Sequence, residues 1–246
     1  MTRVHLLDAR QPGFPPADRA LRDPNGLLAV GGELTSAWLL AAYRSGVFPW
    51  YDDDRGPILW WSPDPRAVLF PAEVRVSRRL ARTLRNGPFT VTFDTAFNQV
   101  VRGCAAPRAG ASGTWITPRM QRAYQRLHRS GYAHSCEVWQ EEALVGGLYG
   151  VSLGGMFFGE SMFFRATDAS KVALVTLIRA IDRWGFSLLD CQVMNPHLDS
   201  LGAREIRREA FLELLERSLE QPTRRGSWSA DSPEPQDQTR AGRTGQ

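Results

Sequence analysis

The sequence has almost no lysine. Lys171 is the single one, so arginine carries nearly all the positive charge, a bias that a GC-rich genome explains as well as selection for phosphate binding does. Cysteine is scarce too: Cys104, Cys136 and Cys191 are scattered and odd in number, which argues against a disulfide framework and suits a reducing cytoplasm. No stretch approaches the roughly 20 apolar residues of a membrane span. Met1-Thr-Arg-Val-His-Leu-Leu-Asp8 lacks the continuous hydrophobic segment of a secretion signal. The expectation is a soluble, cytoplasmic protein. Metal-ligand spacing is missing as well; His134 and His197 have no ligand partner at usable spacing and read as structural. What remains is a chain of 246 residues, 43% hydrophobic, with net charge +4. That length can bury a full core in one domain or two, and that charge permits a nucleic-acid partner without requiring one.

The chain is organised around Leu144-Val-Gly-Gly-Leu-Tyr-Gly-Val-Ser-Leu-Gly-Gly-Met-Phe-Phe-Gly-Glu160. Two strands meet at Leu153-Gly-Gly155, where glycine supplies the positive φ of a tight hairpin. Gly146, Gly147 and Gly150 fall inside a strand, where glycine marks the close approach of a ligand or of another backbone; the hairpin is expected to carry a substrate. A helix starts near Thr167 or Asp168, either of which can cap it, and stops at Gly185. Leu174, Leu177, Ile178, Ile181 and Trp184 recur along it at helical spacing, so it crosses over to a strand at 186–193 beside the hairpin. Alternation puts Asp190 and Gln192 on one face of that strand and Leu189, Cys191 and Val193 on the other, toward core. A carboxylate and an amide in an apolar strand are costly unless paired or used. They are a satisfied structural pair or a site.

Before residue 66 the chain reads as a small unit: a turn at Asp23-Pro-Asn-Gly26, a strand at 27–30, and a helix capped by Thr35. Phe48, Trp50, Tyr51, Trp60 and Trp61 then cluster as interface packing or as a stacking platform for a base. Residues 76–85 form an amphipathic helix in which Arg75, Arg78, Arg82 and Arg85 share a face, either solvated or set for phosphate. A strand at 89–93, a helix at 94–101, a loop at 105–112, a helix from Thr117-Pro118 and a strand at 133–139 follow. Beyond a last amphipathic helix ending at Leu219, the polar tail 221–246 with its lone Trp228 is expected to be disordered.

Several runs together resemble one bacterial family. Gly46-Val-Phe-Pro-Trp50, Leu59-Trp-Trp-Ser-Pro-Asp-Pro-Arg66, Gly113-Thr-Trp-Ile-Thr117, Ala133-His-Ser-Cys-Glu-Val-Trp139, Gly146-Gly-Leu-Tyr-Gly150, Phe158-Gly-Glu-Ser-Met-Phe163, Asp168-Ala-Ser-Lys171 and Asp190-Cys-Gln-Val193 are similar to motifs of the leucyl/phenylalanyl-tRNA protein transferases, over residues 14–215. The resemblance implies an α+β protein. A small N-terminal domain, 1–66, would precede a domain of the N-acetyltransferase-like fold with a mixed sheet, 67–220. The implied activity is transfer of leucine or phenylalanine, and less well methionine, from aminoacyl-tRNA to the N-terminal arginine or lysine of a protein, creating a degradation signal. By the same resemblance Asp190, Gln192 and Glu160 are catalytic, Gln192 holding the amine and helping to deprotonate it, with orientation its larger role, and Asp190 polarising Gln192. Glu160 would contact the aminoacyl group or the cationic acceptor. Leu148 and Phe157 shape the amino-acid pocket, Asn195 adds a hydrogen bond, and Trp50 and Trp115 stack on the terminal adenosine. Arg75, Arg78, Arg82 and Arg85 would meet tRNA phosphates. No cofactor is expected, since an aminoacyl ester is already activated, and a monomer is expected. Acyl-CoA enzymes of related fold cradle pyrophosphate with glycines at a helix start, but Phe163-Phe-Arg-Ala-Thr-Asp-Ala-Ser170 has none. An acyl-CoA N-acyltransferase and a non-catalytic tRNA-binding module are the alternatives.

Overall fold

The computed structural model describes residues 3–107 and 114–233. Part of the expected loop at 105–112 and half of the expected tail, residues 234–246, lie outside the described residues. Two sheets divide the molecule. The first contains β1 (His5–Leu7), β2 (Leu27–Gly31), β3 (Phe48–Pro49) and β4 (Leu59–Trp61) in the order β1-β2-β4-β3, with helix α1 (Ser36–Arg44) between β2 and β3. The Thr35 hydroxyl accepts from the Trp38 amide, so the expected cap is in place. Trp38, Trp60 and Phe14 fill the space between helix and sheet, with Phe14 edge-on to both indoles. Within the aromatic cluster, Trp60 is core while Trp50 is 45% exposed.

The second sheet has seven strands in the order β11-β5-β10-β9-β8-β7-β6. In chain order these are β5 (Arg66–Leu69), β6 (Thr90–Phe93), β7 (Ala133–Gln140), β8 (Ala143–Leu153), β9 (Met156–Phe164), β10 (Leu188–Gln192) and β11 (Arg204–Ile206). Helix α2 (Arg78–Asn86) precedes β6, α3 (Phe97–Ala105) and α4 (Pro118–Arg129) follow it, α5 (Ala169–Arg183) joins β9 to β10, α6 (Pro196–Ser200) follows β10 and α7 (Arg208–Leu219) follows β11. β8 and β9 form the expected hairpin, turning at Gly154 with φ +57°. β10 runs parallel to β9, a pairing that needs a crossover helix, and α5 supplies it. This mixed α+β sheet is the arrangement the resemblance implied. Side chains alternate across it. Leu148, Phe157 and Leu189 pack with Leu174, Leu177, Ile178 and Ile181 of α5, while Tyr149, Val151, Phe158 and Leu188 join the core that α1, α3 and α4 cover on the other side.

Four expectations need correction. The strand glycines admit protein, not ligand: a Cβ on Gly146 would stand 2.6 Å from the Ala169 Cβ, and one on Gly150 2.2 Å from the Phe158 carbonyl. Asp168 precedes α5 in the left-handed conformation and caps nothing with its side chain; its carboxylate meets Arg79 at 3.0 Å instead. The helix read at 94–101 begins at Phe97, because Asp94 takes φ +57° and uses its carboxylate on the Ser135 amide. The described part of the tail, residues 221–233, packs on the fold. Trp228 is 1% exposed, lies face to face with His134 at 3.6 Å, and donates its backbone N–H to Asp94 at 2.8 Å. Composition alone misses this, since one indole buried on a ready surface offsets much of the ordering cost of a polar segment.

Candidate active site

A cavity of about 910 Å³ opens between α3, the middle of β9, the start of α5 and the segment after β10. Leu148, Phe157, Leu174, Leu177 and Leu189, all buried, line it. Glu160, Gln192, Asn195 and Trp115 line it as well. The alternation of β9 explains part of this layout, because Phe157 lies on the α5 side and Glu160, three residues on, faces the opposite side toward α1 and α4.

Glu160 is where three elements converge. Tyr43 of α1 donates to its Oε1 at 2.6 Å, Tyr124 of α4 donates to its Oε2 at 2.5 Å, and Gln192 Nε2 donates to Oε1 at 3.1 Å. The two phenol oxygens also lie 2.7 Å from each other. With both phenols donating to the carboxylate, their mutual 2.7 Å contact lacks a proton; when the carboxyl is protonated, one phenol accepts from it and donates to the other instead. Burial pushes the carboxyl pKa up to about 7, against the lowering effect of the hydrogen bonds from Tyr124 and Tyr43; the nearby charge of Asp190 adds to the rise. Glu160 is therefore a carboxyl that gains or loses its proton near neutral pH. Burial holds both tyrosine hydroxyls protonated well beyond the usual phenol range.

Asp190 and Gln192 are brought together, but not by strand alternation. The pairing with β5 slips between them, and Gln192 has φ +64°. Asp190 is wholly buried and does not line the cavity. Its Oδ1 accepts from Arg66 Nε at 2.8 Å and its Oδ2 from Arg66 Nη2 at 2.7 Å. Oδ1 also accepts the backbone N–H of Gln192 at 2.9 Å. The expected polarisation of the Gln192 side chain by Asp190 is thus corrected: the carboxylate touches the main chain, and the Gln192 amide turns to Glu160. The same slip overturns the expected core positions of Cys191 and Val193. Cys191 is half-buried and lines the cavity, where burial raises its thiol pKa far above the usual range; Val193 is 53% exposed.

The remaining expected residues divide. Asn195 lines the cavity and also caps α6, accepting from the Leu198 amide at 3.0 Å. Trp50 is not in the cavity wall; its ring packs against Trp61, 5.6 Å between centroids. Arg75, Arg78, Arg82 and Arg85 are exposed on α2 and the turn before it, outside the cavity, and none forms an ion pair with a described residue. His134 is held by Asp94 at 2.8 Å, while His197 lines the cavity. Sequence reasoning missed Arg66, Tyr43 and Tyr124. Arg66 closes a quoted motif, which is a signal. The tyrosines look like two more apolar-face residues of amphipathic helices.

Comparison with known proteins gives this geometry a context. A family model described as leucyl/phenylalanyl-tRNA protein transferase matches residues 68–216, and one for the N-terminal domain of the same protein matches 32–64. Among curated proteins, the leucyl/phenylalanyl-tRNA protein transferase of Stutzerimonas stutzeri is 60% identical over 85% of this chain and 92% of its own. That of Chromohalobacter salexigens is 58% identical over 91% and 87%, and that of Pseudomonas aeruginosa 60% over 85% and 92%. Solved structures share far less sequence. A GCN5-related N-acetyltransferase from Kribbella flavida is 9% identical with a TM-score of 0.37 over 68% of this chain and 59% of its own. L-PGS from Bacillus licheniformis is 11% identical with a TM-score of 0.38 over 80% and 74%. With relatives this similar along nearly their whole length, the chain belongs to the leucyl/phenylalanyl-tRNA protein transferases, enzymes that move an amino acid from tRNA to a protein.

Proposed function

We propose that this protein transfers leucine or phenylalanine, and less well methionine, from aminoacyl-tRNA to an N-terminal arginine or lysine of acceptor proteins, and so creates a degradation signal. The observation that carries the reading is a buried carboxyl with a pKa of about 7 in the lining of a cavity that also holds the buried side chains of Leu148, Phe157, Leu174, Leu177 and Leu189. Leu148 and Phe157, with the leucines around them, take the donor side chain. A charged one would be left unpaired there.

The reaction needs positioning more than activation. The amine nitrogen attacks the ester carbonyl carbon, the C–N bond forms, the bond to the ribose oxygen breaks, and the proton lost by the amine ends on that oxygen. Holding the two reactants in contact supplies much of the rate. Gln192 spends its Nε2 on Glu160, which leaves its carbonyl oxygen to accept from the attacking amine. Glu160 in its ionised form is the base that takes the proton from the amine and hands it on to the departing ribose oxygen, and the Tyr43 and Tyr124 hydroxyls stabilise that ionised form. Asn195 adds a polar contact. Trp115 and Trp50 stack on the terminal adenosine, and Arg75, Arg78, Arg82 and Arg85 meet phosphates of the acceptor stem, reading shape more than sequence. The protein acts as a monomer in the cytoplasm, where charged tRNA is available.

The test is transfer of radiolabelled leucine or phenylalanine from charged tRNA to a peptide beginning with arginine, beside the same peptide beginning with alanine. Label on the arginine peptide alone, abolished by ribonuclease treatment of the donor, is expected. Absence of label with intact charged tRNA would remove the reading and turn attention to acyl-CoA donors.

A further inference from the structure

Arg66 is a guanidinium closed off from solvent. Its Nη1 donates to the Gly46 carbonyl at 3.2 Å, and its charge lies between the rings of Phe48 and Phe211, 4.9 and 4.5 Å from their centroids. The rest of its fork is committed to Asp190. A buried ion pair of this kind is weak evidence for stability, since apolar residues can often replace it. What distinguishes this pair is the third hydrogen bond on the carboxylate. Asp190 Oδ1 accepts from Arg66 Nε and from the Gln192 backbone N–H at once.

Gln192 stands at φ +64°, a conformation that a non-glycine side chain seldom adopts and that surrounding contacts must impose. A carboxylate alone can rotate about its own bond, and its acceptor direction rotates with it. Two parallel hydrogen bonds from a planar guanidinium remove that freedom. With Oδ1 fixed, the Gln192 backbone is fixed, and the side chain is directed to Glu160 and the cavity. We propose that Arg66 is a positioning residue for acyl transfer, which through Asp190 holds Gln192 in its left-handed turn and aims its amide at the attacking amine. This rests on the reaction proposed above.

Two variants test it. Arg66→Met combined with Asp190→Asn removes both charges together, strands neither, and leaves an amide oxygen at position 190 for the Gln192 N–H. Arg66→Lys keeps a cation beside Asp190 but cannot fork. Both are expected to retain a cooperative melting transition and to lose about 100-fold in kcat, the loss that a misplacement near 1 Å brings. KM for Leu-tRNA should stay within about twofold. The side-chain amide resonance of Gln192 in isotope-labelled protein should move away from its wild-type position in each. If the double variant does not fold, Arg66→Lys decides by the same readings. A folded variant with wild-type kcat and an unmoved Gln192 resonance would overturn the assignment, as would a loss confined to KM. Should the wild-type protein form no product at all, the proposed function fails, while the Gln192 resonance still reports whether Arg66 positions that residue.

Discussion

Tyr43 and Tyr124, one from each of two helices and 81 residues apart in sequence, bring their hydroxyls within 2.7 Å of each other and both point them at Glu160. The carboxyl is thereby poised. Burial drives it toward the neutral acid, the phenols favour the anion, and the balance falls at a pKa of about 7.

Removing either phenol should upset that balance in one direction. Hydrogen bonds to a carboxylate favour the ionised form, so Tyr124→Phe and Tyr43→Phe both move the Glu160 pKa further up. The rising limb of the rate against pH should shift to higher pH in each variant, more for Tyr124, the stronger of the two effects. Single-turnover rates across the neutral range check this; a limb that stays in place or moves down would contradict it.

The same shift has a consequence for stability. The folded protein holds a proton on Glu160 up to a pH of about 7, while the unfolded chain releases it from an ordinary glutamate. Protonation therefore favours the folded state. This contribution is complete below about pH 4.5 and is lost as pH rises toward about 7, on the order of 3 kcal/mol in all. Urea unfolding of the wild type and of Glu160→Gln over that window should differ by this component, which the variant lacks.

Trp228 offers a separate test; it is not itself in the cavity lining but its ring packs on Phe157, which is, 5.9 Å between centroids. Its indole is buried against His134 and Trp184, so Trp228→Ala should destabilise the protein by about 3–5 kcal/mol, as large core truncations do. A stability change under about 1 kcal/mol would show that the segment carrying Trp228 adds little to the fold.

The arginine face of α2 is predicted to act on binding alone. Changing Arg78, Arg82 and Arg85 together to glutamine should raise KM for aminoacyl-tRNA and reduce the slope of log affinity against log salt by about 2 to 3, if each residue neutralises one phosphate. Turnover at saturation should hold. An unchanged salt slope would leave these residues a solvated face.

Much of this was legible in the sequence wherever the signal was local. Leu153-Gly-Gly155 announced the hairpin, the spacing from Leu174 to Ile181 announced the crossover helix, and Asp190 and Gln192 stood out as polar groups in an apolar strand. The site itself depends on pairs distant in sequence. Tyr43 meets Glu160 across 117 residues and Arg66 meets Asp190 across 124, separations that no periodicity reports. Alternation also failed at Gln192, because a slipped register and a left-handed residue leave no mark in a hydrophobic pattern. The glycines of β8 carried a true signal of close approach with an ambiguous source, and the approaching groups proved to be Ala169 and Phe158.

Glu160 as the base of the transfer reaction is the central claim. The direct measurement is the single-turnover rate of leucine transfer from charged tRNA to an arginine-initiated peptide, for wild type and Glu160→Gln, between about pH 5.5 and 8.5. Taking the ratio of the two rates cancels the titration of the acceptor amine, which both share. The ratio should climb through pH 7 to a plateau of about 100 or more, the usual worth of a positioned base. A ratio near one at every pH would contradict the claim, and so would a large ratio that does not vary with pH.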